Sequence, residues 1–158
     1  HTRKIIGFDT FEGFPSVDEK DGQSDNVSVG SYGVADDYEL YLDKVLAYHE
    51  SESPISHLKK YELVKGDASV TLEKYLKQHP ETIVALAYFD FDIYEPTKIA
   101  LEFLLPLVPK GGVVAFDELA QKKWEGETVA FKEALSANKI KLRRFSFEPH
   151  ISYFVVGD

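Results

Sequence analysis

Acidic residues gather where the apolar runs of this sequence stop. Ile5-Ile6-Gly7-Phe8 runs into Asp9, Tyr61 to Lys65 leads into Gly66-Asp67, Phe89 is followed by Asp90-Phe91-Asp92, and Ala115-Phe116 by Asp117-Glu118. If those runs are parallel strands, their carboxyl ends are where an open α/β sheet binds its ligand. Carboxylates a few ångströms apart raise one another's pKa or hold a cation. The chain has no cysteine, so any metal here must be held by oxygen or imidazole. Asp90 and Asp92 are two residues apart and should point the same way on an extended strand end. Asp117 ends the next strand and should lie level with Asp90, so that three carboxylates converge as a donor set for magnesium or calcium. The competing reading is capping, because Asp92 stands just before a helix that opens at Glu95-Pro96.

Asp9 and Asp67 have a different candidate task. A carboxylate ending one strand can accept from ribose hydroxyls, and one after the neighbouring strand can accept from an adenine amine. Their plainer readings are a turn residue for Asp9 and a helix cap for Asp67 in Gly66-Asp67-Ala68-Ser69. The five histidines carry little: His49 falls on an apolar stripe, His57 and His79 on surfaces, His150 in a turn and His1 at the terminus. No nucleophile–base pair, metallated histidine motif, Walker loop or nucleophile elbow is present.

The elements that must position these carboxylates follow from periodicity. Strand-like runs occupy residues 4–9, 61–65, 83–90, 112–117, 139–147 and 152–156. A helix capped at Asp36-Asp37 should bury Leu42, Val45, Leu46 and His49, and a second over residues 69–79 should turn Leu72, Tyr75 and Leu76 inward before Pro80 stops it. A third, from Glu95-Pro96, should bury Ile99, Ala100, Phe103, Leu104 and Leu107, and a fourth covers about residues 127–137. Strands alternating with helices predict a parallel sheet with right-handed crossovers. The link Glu148-Pro149-His150 is too short for a crossover, so the last two strands should form an antiparallel hairpin. Residues 12–35 hold many Gly, Ser and Asp without periodicity and read as a long lid or binding loop.

Bulk properties bound the partners. With 158 residues, 44% of them hydrophobic, one domain spanning residues 1–158 is expected. A net charge of −9 would repel nucleic acid. The longest apolar stretches, residues 83–91 and 99–108, are too short to span a bilayer, and the absence of cysteine fits a reducing compartment, so a cytoplasmic protein without a membrane partner is expected. The chain opens on His1-Thr2-Arg3-Lys4 and enters a strand at once, as a fragment would.

Four blocks combine these features: Gly7-Phe8-Asp9-Thr10-Phe11-Glu12-Gly13-Phe14-Pro15; Gly66-Asp67 with Thr71-Leu72; Asp90-Phe91-Asp92-Ile93-Tyr94-Glu95-Pro96-Thr97; and Pro109-Lys110-Gly111-Gly112 leading to Asp117. Together they resemble the macrocin O-methyltransferase family, S-adenosylmethionine-dependent enzymes that methylate sugar hydroxyls. The resemblance implies a Rossmann-like class I methyltransferase fold, a mostly parallel α/β sheet closed by an antiparallel hairpin. It implies that Asp9 holds the cofactor ribose, that Asp67 with Ala68 lies by its adenine, and that Asp90 and Asp117 bind magnesium. It makes Asp92 the general base toward a small-molecule hydroxyl acceptor, a sugar or glycoside. The family has a second aspartate where this chain has Glu118, whose longer arm is expected to reach the metal. The family's first strand and glycine-rich loop have no counterpart here and would precede His1; that strand belongs between those ending at Asp9 and Asp90.

Three further expectations complete the reading. Trp124, Glu125 and Glu127 follow the Asp117 strand and either line the acceptor pocket or, for the tryptophan, anchor packing. Apolar residues of the helix near Tyr38 to Tyr48 could face a second copy in a homo-oligomer. The rival functions are a nucleotide-sugar glycosyltransferase using Asp90-Phe91-Asp92 for a metal–diphosphate, and a degenerate methyltransferase fold kept for binding.

Overall fold

A computed structural model describes residues 2–158; His1 lies outside them. Strands β1 (Ile5–Asp9) and β2 (Tyr61–Lys65) pair in parallel, with Ile5 opposite Tyr61 and Asp9 opposite Lys65. Strands β3 (Leu86–Phe89), β4 (Val113–Phe116), β5 (Arg143–Arg144) and β6 (Ser152–Val155) form a second sheet in the order β3-β4-β6-β5. Within it β3 and β4 are parallel, while β6 runs antiparallel to both β4 and β5. The expected parallel sheet with an antiparallel end is therefore present, in two pieces. Among the described residues, β1 and β3 each have a strand partner on one side only.

The closing hairpin is shorter than its pattern predicted. Residues 139–147 alternate charged and apolar side chains, yet only Arg143 and Arg144 find partners, opposite Tyr153 and Ser152. An edge strand is ordered as a ladder only where its neighbour offers backbone groups, and β6 is four residues long. Beyond the ladder Phe145 stacks on Phe147 and Tyr153 at the surface.

The core lies around β4, where Val114 and Phe116 are completely buried. Phe116 stacks on Phe89 at 4.9 Å and meets the edge of Phe131 at 5.4 Å. Helix α3 (Tyr94–Leu104) covers this core with Ala100 and Leu104, as its stripe predicted, and adds Thr97 and Leu101 on its buried side, while Ile99 is only half-buried. The helix starts at Tyr94, ahead of its proline, and Phe103 is left exposed. Helix α4 (Glu125–Ala134) likewise begins two residues early, and residues 137–139 form a separate turn. Helix α2 (Ala68–Gln78) buries Leu72 and Tyr75 as its spacing predicted. Helix α1 (Tyr38–Glu52) has no buried residue: Leu42, Val45 and Leu46 are half-buried and His49 is exposed, because a two-stranded sheet offers α1 little apolar surface.

Candidate active site

The register of β3 against β4 sets Phe89 opposite Phe116, so Asp90 and Asp117 leave the sheet side by side, as the sequence required. The Asp117 amide donates back to the Phe89 carbonyl at 3.3 Å. Its carboxyl Oδ1 is buried without a hydrogen-bond partner. Burial first, and then the Asp90 carboxylate beside it, push the Asp117 pKa up to about 7.

Asp92 reaches the site by a different route from the one its spacing implied. The strand stops at Phe89, and Asp92 adopts a left-handed φ of 61° inside a tight turn in which the Ile93 amide donates to the Phe91 carbonyl at 2.6 Å. The alternation of an extended strand therefore does not apply across residues 90–92, and the turn, rather than the pleat, aims Asp92. Aspartate tolerates this conformation better than most side chains, at a cost on the order of 1 kcal/mol. Burial, then Asp90, then Glu118 push its pKa up to about 6.

Asp92 does not cap the helix it precedes. The cap position of α3 is Ile93, which has no side-chain acceptor, and the Tyr94 amide instead donates to Asp21 Oδ1 at 2.5 Å. Asp21 is buried, takes a second bond from the Asp18 amide at 2.7 Å, and lies so close to Gly126 of α4 that no Cβ would fit there. One carboxylate thus ties the long loop to the start of α3 and packs tightly against the first turn of α4. Nearby, Lys20 lies over the Tyr94 ring and pairs with Glu133 of α4.

Asp9 and Asp67 play their plain roles and also face the site. Asp9 Oδ1 accepts from the Phe11 amide at 2.6 Å, closing the turn after β1. Asp67 accepts from the Ser69 amide at 2.8 Å and so caps α2, whose first residue is the buried Ala68. All five of Asp9, Asp67, Ala68, Asp90 and Asp92 line one cavity of about 250 Å³, whose wall also includes Phe14 and Tyr32 of the long loop. Asp117 and Glu118 are not on its wall.

Glu127 has a place the sequence reading left open. It is fully buried, its Oε1 accepts from the Glu118 amide at 3.1 Å, and its Oε2 has no partner. Burial first, then Asp117, push its pKa up to about 9. The signal was available, since Glu127, Ala130 and Phe131 share one stripe of α4 at spacings of three and four. Trp124 is a packing anchor, buried against Phe14 and Ile93. Glu125 is exposed, with its carboxyl against Gly22 of the long loop.

Among solved structures the chain is similar to the calicheamicin methyltransferase CalS11, with 42% identity, a TM-score of 0.95, and coverage of 99% of this chain and 61% of that one. A further structure of CalS11, there named a TDP-rhamnose 3'-O-methyltransferase, gives 38% identity, a TM-score of 0.82, and coverage of 99% and 59%. Over nearly its whole length the chain is thus similar, at 38–42% identity, to a protein named as a methyltransferase of a TDP-sugar. The O-methyltransferase NovP, at 20% identity and a TM-score of 0.66, shares the fold, covering 98% of this chain and 60% of its own. This chain spans about three fifths of the length of these relatives. No family model matches it, and no curated protein matches it.

The sugar O-methyltransferase resemblance brings a divalent metal into question, and the donors can be tested for it. Asp90 and Asp117 are hard oxygen donors side by side, one with an orphaned buried oxygen, which suits a cation that keeps several waters. Among the described residues no group of three or more His, Cys, Asp or Glu side chains that could hold a metal ion is found. Also among the described residues, no helix is long and apolar enough to cross a membrane.

Proposed function

We propose that the protein transfers a methyl group from S-adenosylmethionine to a hydroxyl of a sugar or glycoside. The observation that carries this reading is the meeting of Asp9, Asp67, Asp90 and Asp92 in one cavity beyond the carboxyl ends of β1, β2 and β3, in a chain 42% identical to CalS11. The cofactor's nucleoside would lie over the β1 and β2 ends, with Asp9 toward the ribose and Asp67 and Ala68 toward the adenine. The cavity of about 250 Å³ is just under the roughly 300–1,000 Å³ of ordinary small-molecule sites. The open edges of β1 and β3 support the reading that a further strand and a glycine-rich loop of the whole protein complete the wall between them.

Asp92 is the general base. It is half-buried on the cavity wall, and a pKa of about 6 leaves it mostly ionised at neutral pH while still basic enough to take a proton. Asp90 and Asp117 would hold magnesium, with Glu118 reaching it from the next position; the ion would lower the pKa of the acceptor hydroxyl. Glu127 holds the Glu118 amide and thereby fixes the backbone that follows β4. Alignment of the hydroxyl with the methyl donor supplies the remaining advantage, worth several kcal/mol in well-oriented reactions (~7–11 at the upper end). The match to methyltransferases favours this reading over the sugar-nucleotide glycosyltransferase. Leu40, Tyr41 and Tyr48 on the exposed side of α1 keep a homo-oligomer part of the proposal.

Calorimetric titration of the full-length protein with S-adenosylhomocysteine, with and without magnesium, tests the assignment. Binding in the micromolar range that Asp9→Ala weakens about tenfold or more supports Asp9 on the ribose. No binding under either condition removes the methyltransferase reading in favour of the non-catalytic one.

A further inference from the structure

Tyr32 combines three properties that packing alone does not require. It is 61% exposed, it holds a left-handed φ of 63°, and it stands on the wall of the cavity that contains Asp92. A bulky side chain is costly in that backbone conformation, so the surrounding loop must hold it there. The loop is built to do so. The Phe14 amide donates to the Ser31 carbonyl at 3.0 Å and the Gly30 amide donates to the Phe14 carbonyl at 2.9 Å, a backbone clasp across the base of the loop. Gly13 makes the clasp possible, because a Cβ there would run into the Ser31 and Gly30 carbonyl oxygens. Two buried rings pack against the tyrosine, Phe14 tilted at 5.5 Å and Trp124 edge-on at 5.6 Å.

We infer that Tyr32 is the platform on which the acceptor lies, its exposed face taking the apolar face of a sugar ring whose hydroxyl is directed at Asp92. This rests on the methyltransferase reading and adds the acceptor subsite to it. The C–H face of a deoxysugar is weakly positive and apolar, and an aromatic face offers a negative quadrupole and dry area in return. A rigid aromatic with buried supports presents that face at little entropic cost. Trp124, the aromatic that the sequence offered for this pocket, serves as a brace instead.

The test uses the full-length protein, S-adenosylmethionine, and TDP-rhamnose or methyl rhamnoside as acceptors, with methyl transfer read by mass spectrometry. S-adenosylhomocysteine affinity is measured beside it. Tyr32→Ala and Tyr32→Gly are both expected to raise the acceptor KM by about tenfold while kcat stays within about twofold and S-adenosylhomocysteine affinity is unchanged. Tyr32→Gly relieves the backbone conformation yet lacks the ring, so a matching loss in both variants isolates the ring. Tyr32→Phe keeps the face and is expected to restore KM. An unchanged KM in the alanine and glycine variants overturns the platform while leaving the methyltransferase reading intact. Binding of S-adenosylhomocysteine without turnover of either acceptor overturns the sugar-ring acceptor. Loss of S-adenosylhomocysteine binding in the unaltered protein sinks the underlying reading instead.

Discussion

The two pieces of the sheet are held in different ways. In β4, Val114 and Phe116 have no exposed surface, and α3 and α4 pack against that strand's neighbourhood with Ala100, Leu101, Ala130 and Phe131. In the β1–β2 piece, α1 has no buried residue, and Ile5 is 75% exposed. Phe8 joins the pieces, packing on the core cluster and meeting Tyr75 of α2 edge-on at 5.5 Å. The cavity lies across this seam, with Asp90 and Asp92 from the well-packed side and Asp9 and Asp67 from the thin side. The groups assigned to proton and metal chemistry thus sit on the rigid part, where small displacements are resisted, and those assigned to the cofactor nucleoside sit on the part with fewer supports.

The sharpest way to break that contrast is in the core. Phe116→Ala removes a ring stacked on Phe89 and set edge-on to Phe131 and should cost the full-length protein about 3–5 kcal/mol in urea unfolding. Leu42→Ala in half-buried α1 should cost about 1 kcal/mol, and equal losses would refute the asymmetry.

A smaller effect tests the strap between the long loop and the rigid side. Asp21→Ala leaves the Asp18 and Tyr94 amides without their acceptor and should cost about 1–3 kcal/mol. Protease cleavage within residues 12–35 should quicken in the same variant; unaltered cleavage would mean that the loop is held elsewhere.

A further effect is read as a slope with pH. Glu127 has an ordinary pKa of 4.5 and is pushed up to about 9 in the folded protein, so the native state binds its proton more tightly than the unfolded chain. The stability this confers is complete below pH 4.5 and is lost as pH rises toward 9. Glu127→Gln, unfolded by urea in chelator, should match the unaltered protein at pH 5 and exceed it at pH 9. Identical pH profiles would show that Glu127 is ionised in the native state.

Much of the site could be read from the chain because local chemistry fixed it. Asp67 ahead of Ala68-Ser69 caps a helix wherever that helix packs, and Asp9 closes a turn with the Phe11 amide two residues on. The level exits of Asp90 and Asp117 followed from adjacent parallel strands of similar length. Misreadings came where the backbone left its regular path: the turn at Asp92, the α3 start at Tyr94 and the two-residue β5.

By itself, then, the sequence determined the order of strands and helices, the antiparallel end, the acidic strand ends and the resemblance to sugar O-methyltransferases. These depend on periodicity, capping and short-range spacing, which are properties of neighbours along the chain. Only the tertiary structure decided that Asp21 serves α3 from 73 residues away, that Glu127 is sealed inside, and that Tyr32 rather than Trp124 faces the cavity. Each of those depends on which distant backbone approaches closely enough to bond or to clash, as Gly13 and Gly126 allow, and no local pattern encodes that approach.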